Sequence, residues 1–315
     1  MRKYFCDTCH FIYDEKEGDC KNGVPPETPL NELCDSLCNR CQMKDLSRYH
    51  VMFPEYRNLE ANYYFAFSGK WHIDFFLSYL KQSGIDSPSI LEIGSGLGRA
   101  AYPLVSQGFQ VTSVERSSDF VSLLQKQKWC ETSAFELIEG DIFSLSLEKK
   151  FDVILLTDST YQELIYQRNE IECLAMLSSL LTPNGFLWIE TMTATESHQT
   201  LRKKDLDLRR EIILESTISV SQQYFTYHHV FELFRDGVSK ERSMVSRTLP
   251  TVSLESMLSH LPQSLEFKDA LTFPKEGKIK TDHPLQNWTD GGYPLATSNP
   301  LVKKEIIILK NKGDL

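Results

Sequence analysis

The sequence predicts an α/β fold, in which a mostly parallel sheet with helices on both faces carries an antiparallel insertion and follows a small cysteine-rich module. From residue 88, short apolar runs alternate with segments of helical spacing. The first of these runs leads into a turn, "GSGLG", that has glycine at every second position. Six of the eight cysteines lie within the first 41 residues, which sets that part of the chain apart.

Composition narrows the class of protein. The 315 residues suffice for two domains, at about 150 residues per domain. No apolar run approaches the roughly 20 residues needed to cross a bilayer, and the first residues, "MRKYFCDTCH", contain no apolar run typical of a signal peptide. We therefore expect a cytoplasmic protein without a membrane partner. A net charge of −9 disfavours a surface that follows nucleic-acid phosphates.

The two cysteine pairs, "CDTC" and "CNRC", predict a metal site, because four thiolates in paired loops can hold one ion tetrahedrally without a large core. Together with "KYFCDTCHFIYDEKEGD" and "NGVPPETPLNEL", they make the first 45 or so residues resemble a rubredoxin. His10 and Gln42 stand where rubredoxins usually have glycine, so zinc and iron, and a structural or redox role, all stay open. The resemblance implies one ion held by Cys6, Cys9, Cys38 and Cys41.

The next segment is rich in aromatic residues and ends in "WHIDFFLSYLKQ", whose apolar spacing predicts a helix that stops at Gly84. Its aromatic side chains, which include Tyr63 and Tyr64, are better explained by packing than by a ligand pocket.

The alternating elements then follow in order. "SILEIG", "QVTSVE", "FELIEGDI", "FDVILLTD" and "GFLWIET" predict strands, while "RAAYPLVSQG", "SSDFVSLLQKQKW" and "QRNEIECLAMLSSLL" predict helices. In such sheets a ligand lies outside the carboxyl ends of the strands, so the residues that follow each strand are the candidates for a site.

The glycine turn favours one cofactor over another. Dinucleotide-binding proteins space their glycines G-x-G-x-x-G, whereas Gly94, Gly96 and Gly98 follow G-x-G-x-G after the acidic Glu92. This pattern resembles the first motif of class I S-adenosylmethionine-dependent methyltransferases, which have a Rossmann-like sheet. Glycine lets the backbone approach a ligand closely, and the resemblance makes Glu92 a candidate for the cationic end of the cofactor.

Further residues fall where this fold needs them. Glu115 ends the second strand, about 20 residues after the first glycine, where a carboxylate can accept both ribose hydroxyls. The resemblance, which covers residues 88 to 190, implies that Asp141 and Ile142 contact adenine and that Thr157 and Asp158 lie against the methionine part. We expect Arg99 to cap a helix or contact solvent. The predicted cofactor-binding residues are Glu92, Gly94, Ser95, Gly96, Gly98, Glu115, Asp141, Ile142, Thr157 and Asp158.

The remaining chain predicts an insertion and the end of the fold. The mixed charges of "HQTLRKKDLDLRREI" predict a linker helix, and three antiparallel strands should follow, the last two joined at Asp236–Gly237. By resemblance, such an insertion covers the substrate. For His228 and His229 we favour packing over a role as general base, so the catalytic residue is unknown. "SLESMLSHL" predicts the last helix, and "LEFKDALTF" and "KEIIILK" the final strands.

The predicted domains are a rubredoxin-like metal-binding domain (1–46), an aromatic-rich linker and helix (47–86), and a methyltransferase domain (87–315) with a substrate-covering insertion at about 196–250. The predicted activity is transfer of a methyl group from S-adenosylmethionine to a small-molecule acceptor. Two alternatives stay open. One is a protein or RNA methyltransferase with the metal module as recognition module, and the other is a redox-sensing protein that binds S-adenosylmethionine without turnover.

Overall fold

The computed structural model describes residues 3–6, 12–19, 22–33, 49–52, 58–64, 67, 71–82, 84–85, 87–273 and 302–313. Three residues of the predicted metal-ligand set, Cys9, Cys38 and Cys41, lie outside these ranges, as does the segment 274–301. Within the ranges, no helix is long and apolar enough to cross a membrane.

A small antiparallel sheet forms the first part of the chain. Strands β1 (Lys3–Cys6), β2 (Ile12–Asp14) and β3 (Tyr49–Met52) pair in the order β2-β1-β3. Tyr13 is buried, and its hydroxyl donates a hydrogen bond to the Thr28 carbonyl at 2.6 Å. The partner strand β3 thus comes from the range predicted as linker, and β1 ends at Cys6, the first of the predicted ligands.

Two helices lead into the main domain, α1 (Asn58–Tyr63) and α2 (Trp71–Gln82). The structure confirms the helix predicted at "WHIDFFLSYLKQ". Its face bearing Phe75, Phe76 and Tyr79 packs on Trp188, with ring centroids 5.0 to 5.7 Å apart. These aromatic contacts hold α2 against one side of the main sheet.

The strands that follow are β4 (Ser89–Ile93), β5 (Gln110–Glu115), β6 (Phe135–Glu139), β7 (Phe151–Leu156), β8 (Leu181–Ala194), β9 (His198–Asp205), β10 (Arg210–Val220), β11 (Tyr224–Arg235), β12 (Val238–Pro250), β13 (Leu265–Phe273) and β14 (Val302–Asn311). The helices are α3 (Ala101–Ser106), α4 (Ser118–Leu124), α5 (Thr160–Gln167), α6 (Glu170–Ser179) and α7 (Leu254–Ser259).

Within the described residues, the main sheet has seven strands in the order β13-β14-β8-β7-β4-β5-β6. The strands from β4 to β8 are parallel to their neighbours, while β14 and β13 run antiparallel. The central strands are buried on both faces, as expected of a parallel sheet covered by helices. The predicted α/β class is confirmed, and the strand order reverses between β4 and β7, the kind of point at which such folds bind ligands.

One predicted helix differs in the structure. The stretch "QRNEIECLAMLSSLL" contains α6, but the unpredicted α5 lies directly before it. Asn169 separates the two, because its side chain accepts a hydrogen bond from the Glu172 amide at 2.8 Å and so caps α6. The extra helix places Glu163 beside the carboxyl end of β7.

A second sheet, β12-β11-β10-β9, forms the insertion and will be called the insertion sheet. The predicted hairpin is confirmed, since Asp236 and Gly237 have φ angles of 52° and 74°. The predicted linker helix is wrong: the segment begins with β9, which pairs with β10 from His198 to Asp205. Its exposure alternates along the strand, and its charged side chains suit an exposed sheet edge better than a helix surface.

Candidate active site

A cleft that opens to solvent lies at the carboxyl ends of β4, β5, β6 and β7. Eight of the ten predicted cofactor-binding residues line it: Gly94, Ser95, Gly96, Glu115, Asp141, Ile142, Thr157 and Asp158. The structure also adds lining residues that the sequence did not predict, among them Tyr64, Arg99, Arg116 and Glu163.

The glycine turn forms one wall of the cleft. Gly94 and Gly96 have φ angles of 75° and 54°, in the left-handed region that favours glycine. A side chain at Gly94 would place its Cβ 2.8 Å from Thr160 Oγ1. Between the two glycines, the buried Ser95 Oγ has no hydrogen-bond partner within the described part of the chain. A polar ligand in the cleft would meet this requirement.

Gly98 does not line the cleft. A Cβ at this position would lie 2.5 Å from the ring of Trp129, so glycine here allows α3 to begin close to that ring.

Glu92 is also placed away from the cleft lining. It is 1% exposed, and Ser113 Oγ donates to its Oε2 at 2.9 Å. Burial raises the pKa of Glu92 to about 8, although the hydrogen bond from Ser113 acts to lower this pKa. The structure therefore does not support direct contact between Glu92 and a ligand.

Glu115 is fixed at the end of β5 by two backbone amides. Its Oε2 accepts from the Gly96 amide at 2.7 Å and its Oε1 from the Ser117 amide at 2.8 Å. Burial raises the pKa of Glu115, and these two amide hydrogen bonds oppose the rise. Since each carboxylate oxygen can accept two hydrogen bonds, both oxygens retain capacity for a ligand with two neighbouring donors.

Asp141 follows β6 and begins a short 3₁₀ turn. Its Oδ1 accepts a hydrogen bond from the Phe143 amide at 2.9 Å, which caps the turn. The neighbouring Ile142 is buried and contributes an apolar surface to the cleft. The pair thus combines a carboxylate with an apolar contact at the point where β6 ends.

Asp158 is the centre of a buried polar network. Its side chain accepts from Tyr64 Oη at 2.8 Å, Arg99 Nη2 at 2.5 Å and Lys304 Nζ at 2.9 Å. Its φ angle of 54° is left-handed, and its amide donates to Glu190 Oε2 at 2.9 Å. Arg99 is therefore not a solvent contact as expected, because its side chain is 7% exposed and ion-paired to Asp158.

Glu190 supports Asp158 from β8. Burial, together with the charge of Asp158, raises the pKa of Glu190 to about 7, while the amide of Asp158 and the cations Arg99 and Lys304 oppose the rise. The group therefore titrates near neutral pH, directly behind the left-handed residue at the end of β7.

Helix α1 and Tyr64 cover one side of the cleft. The Asn58 amide donates to Asp119 Oδ2 at 3.0 Å, and Tyr64 reaches Asp158. Between them, Arg247 of β12 donates two hydrogen bonds, of 2.5 and 2.9 Å, to the buried Glu60. The sequence predicts a packing role for Tyr64 and not a place in the cleft, because no local pattern distinguishes it from the neighbouring aromatic residues.

Two family models match the chain. Residues 90–185 match a methyltransferase domain, and residues 3–47 match rubredoxin. Residues 90–185 are thus similar to a methyltransferase domain, and residues 3–47 to a rubredoxin. The first covers the strands and turns that build the cleft, and the second contains all four predicted metal ligands. Within the described residues, no group of three or more histidine, cysteine or acidic side chains is arranged to hold a metal ion.

Individual relatives agree with this division. The cypemycin N-terminal methyltransferase of a Streptomyces species is 25% identical over 112 residues, which is 36% of this chain and 45% of that protein. A probable rubredoxin of Methanocaldococcus jannaschii is 43% identical over 44 residues, or 14% of this chain and 55% of that protein. The chain thus spans about half the length of these two relatives.

A solved structure shows the same fold over most of the chain. The amino pentose methyltransferase CalS10 of Micromonospora echinaspora, solved with S-adenosylmethionine bound, superimposes with a TM-score of 0.57 at 13% sequence identity. The match covers 81% of this chain and 99% of that one. The likeness concerns the fold alone.

Proposed function

We propose that the protein is an S-adenosylmethionine-dependent methyltransferase that acts on a small-molecule acceptor. The observation that carries the proposal is the cleft itself, in which the glycine turn, Glu115 and Asp158 follow three neighbouring strands of the sheet, β4, β5 and β7, and face one space. The cofactor supplies a methyl group activated on a sulfonium sulfur. The protein's part is to hold the acceptor and the methyl carbon in line.

The residues present suit this cofactor. The close backbone of Gly94 and Gly96 provides a wall for its methionine and ribose parts, together with Ser95 Oγ, which has no hydrogen-bond partner among the described residues. The two oxygens of Glu115 keep hydrogen-bonding capacity for a ribose diol. Asp141 and Ile142 offer a carboxylate and an apolar contact for adenine. Glu92 and Gly98 would act indirectly, through the packing of the turn.

The methionine end would meet the Asp158 network. A cofactor with an ammonium and a carboxylate needs an anionic and a cationic partner, and Asp158 and Arg99 provide one of each, side by side and buried. Thr157 lies at the same edge. The cleft contains no histidine or cysteine among its lining residues, and a methyl transfer between well-aligned atoms needs no general base. The catalytic residue therefore stays unassigned.

A small acceptor suits a covered cleft. Residues 58–64 bridge from Asp119 to Asp158, and Arg247 ties the same segment to the insertion sheet. Such a cover leaves little room for a folded macromolecule, and the net charge of −9 adds no attraction for nucleic acid.

The decisive experiment uses methyl-labelled S-adenosylmethionine with a size-separated extract of the source cells. We expect label in the small-molecule fraction with the wild type and none with Glu115→Ala. Glu139→Ala is the matched control, because Glu139 pairs with Glu115 in the sheet but is exposed and outside the cleft lining. Label in the macromolecular fraction would replace the proposal by a protein or RNA methyltransferase.

A second function is favoured by one observation, the rubredoxin match over residues 3–47. We propose that Cys6, Cys9, Cys38 and Cys41 hold one iron ion, and a zinc ion would make the module purely structural. Redox sensing requires iron, so protein expressed with iron should be coloured and should bleach reversibly on reduction. Colourless, zinc-containing protein from iron-supplemented cells would contradict it. We also keep the domain ranges 1–46, 47–86 and 87–315, and a cytoplasmic location, as proposals.

A further inference from the structure

The inner face of the insertion sheet is interrupted by polar side chains. Two apolar clusters cover this face: Leu59 with Ile212, Leu214, Phe231 and Val245, and Ala194 with Ile218, Phe225, Tyr227 and Leu249. Between them lie Ser216, His229 and Arg247, which we call the polar band. Ser216 and His229 are directly paired across β10 and β11, and Arg247 pairs with Tyr227. The band therefore occupies the middle of a face that is otherwise apolar.

The polar band contains buried side-chain atoms that have no hydrogen-bond partner among the described residues. The side-chain oxygen of Ser216 and the Nδ1 atom of His229 are buried and form no hydrogen bond with any described residue. Ser216 is only 4% exposed. Buried polar atoms are nearly always hydrogen-bonded, since an unsatisfied one costs folding free energy. Two such atoms on neighbouring strands indicate a place where a polar group from outside the chain binds.

The polar band lies beside the segment that covers the cleft. Arg247 of the band donates two hydrogen bonds to Glu60 in α1, and Tyr64, which lines the cleft, follows that helix. Tyr227 is the strand partner of Arg247. The ring of Tyr227 in turn lies 4.5 Å from the ring of His229. Helix α1 thus links the band to Tyr64, whose hydroxyl donates a hydrogen bond to Asp158 in the cleft.

The chemistry of the band limits what it can bind. Burial, and then the charges of Arg247 and Arg202, lower the pKa of His229 to about 3, so its ring is neutral at physiological pH. The same guanidinium charges disfavour a cation, while Glu60 holds Arg247 in a two-point ion pair. A serine hydroxyl and a neutral imidazole can each donate or accept a hydrogen bond. A ligand hydroxyl, which also does both, is the matching group.

We propose that Ser216 and His229 form an acceptor-binding subsite that recognises an uncharged hydroxyl group of the methyl acceptor. The subsite rests on the proposed methyltransferase function and adds to it the part of the acceptor that the insertion sheet holds. It assigns to His229 a binding role instead of proton transfer.

The first test needs no acceptor. If the two atoms await a ligand, their removal should leave the ligand-free protein at least as stable, because an unsatisfied polar group is lost. Ser216→Ala should therefore unfold at the wild-type temperature or higher, as should Ser219→Ala on the exposed side of β10. A clear drop for Ser216→Ala alone would show that Ser216 has a structural partner, and it would overturn the proposal.

The second test compares variants in the labelling assay with the small-molecule fraction. Ser216→Ala and His229→Phe should lower the labelling rate at least about tenfold, while His229→Gln, which keeps a neutral hydrogen-bonding group, and Ser219→Ala should stay near wild type. All four should bind S-adenosylhomocysteine normally by calorimetry. If His229→Phe does not fold, Ser216→Ala alone decides the outcome.

The outcomes separate the two proposals. Wild-type labelling by Ser216→Ala would overturn the subsite and leave the methyltransferase function intact. If the wild type binds the cofactor but labels neither size fraction, the proposed function itself fails, and the subsite fails with it.

Discussion

At the residue scale, Gly94 combines two constraints that a side chain would violate. Its φ angle is 75°, and a Cβ would lie 2.8 Å from Thr160 Oγ1 at the edge of the cleft. We expect Gly94→Ala to lower the free energy of unfolding by about 1–3 kcal/mol and to weaken S-adenosylhomocysteine binding more than about tenfold. Urea unfolding and calorimetry measure the two effects.

The Gly108→Ala variant distinguishes the effect of backbone strain from the effect of a close side-chain contact. Gly108 has a φ angle of 89°, and a Cβ there would have no neighbour within 4 Å. This variant should show the loss of stability with unchanged ligand affinity. Equal loss of affinity in both variants would mean that the close approach at Gly94 is not what shapes the cleft.

Glu190 makes stability depend on pH. Its pKa of about 7 in the folded protein exceeds its ordinary value of 4.5, because burial and Asp158 disfavour the charged form. Between these two values the folded state binds more protons than the unfolded state, so this residue's contribution to stability falls as pH rises towards 7 and is constant above it. Glu190→Gln keeps the hydrogen-bond acceptor for the Asp158 amide, and it should remove this decrease of stability with rising pH.

The measurement is the free energy of unfolding of wild type and Glu190→Gln in urea at pH 5 and pH 8. The variant should gain stability relative to the wild type at pH 8, by an amount on the order of 1–3 kcal/mol. Glu139→Gln, at an exposed strand end, should show no such relative gain. A constant difference between wild type and Glu190→Gln at both pH values would contradict the shifted titration.

At the scale of elements, the sequence predicted those whose burial follows a regular period. The strands β4, β5 and β7 are buried along almost their whole length, as expected of a sheet covered on both faces. Helix α5 was missed because it begins directly after the site turn and is short. Strand β9 was misassigned because mixed charges suit an exposed helix face and an edge strand equally, and pairing with β10 decides between them.

The position of α1 depends on an ion pair that no local pattern reveals, since Glu60 and Arg247 are 187 residues apart in the chain. Both side chains are buried, at 3% and 6% exposed. Removal of one partner leaves the other charged and buried, so Glu60→Leu or Arg247→Met alone should destabilise the protein by about 3–5 kcal/mol. The double variant Glu60→Leu, Arg247→Met should recover most of that loss.

Urea unfolding of the four proteins in this cycle gives the coupling energy. Arg209→Gln is the comparison, because Arg209 makes a similar two-point contact with Asp236 but is largely exposed. Its loss should cost less than about 1 kcal/mol. Additive losses for Glu60 and Arg247 would mean that the pair does not hold α1 in place.

At the scale of the whole molecule, the turns after β4, β5 and β7 were predictable because the site residues follow strands in a known order. Tyr64, Arg99 and Lys304 were not, since they come from separate parts of the chain and meet only at Asp158. Contacts between residues so far apart in the chain produce no recognisable pattern of spacing in the sequence. The chain segments before, within and after the parallel sheet are thus joined at one carboxylate.

The two ends of β7 allow this arrangement to be tested. Asp158 lies beyond its carboxyl end, at the cleft, whereas Asp152 lies near its amino end and accepts hydrogen bonds from Ser89 and Thr182 at 2.8 to 2.9 Å. Both carboxylates join neighbouring strands, but only Asp158 faces the proposed cofactor site. Asp158→Asn keeps a residue that tolerates a left-handed backbone and leaves Arg99 and Lys304 without their buried counter-charge.

We expect both Asp152→Asn and Asp158→Asn to lower the free energy of unfolding, by about 1–3 kcal/mol for the former and about 3–5 kcal/mol for the latter. S-adenosylhomocysteine affinity, measured by calorimetry under conditions where both variants are folded, should fall only for Asp158→Asn. Equal affinity in the two variants would limit Asp158 to a structural role. Loss of affinity in both variants would mean that the amino end of the sheet also shapes the cleft. That result would contradict the expectation that Asp152 contributes to stability alone, whereas Asp158 contributes to both stability and ligand binding.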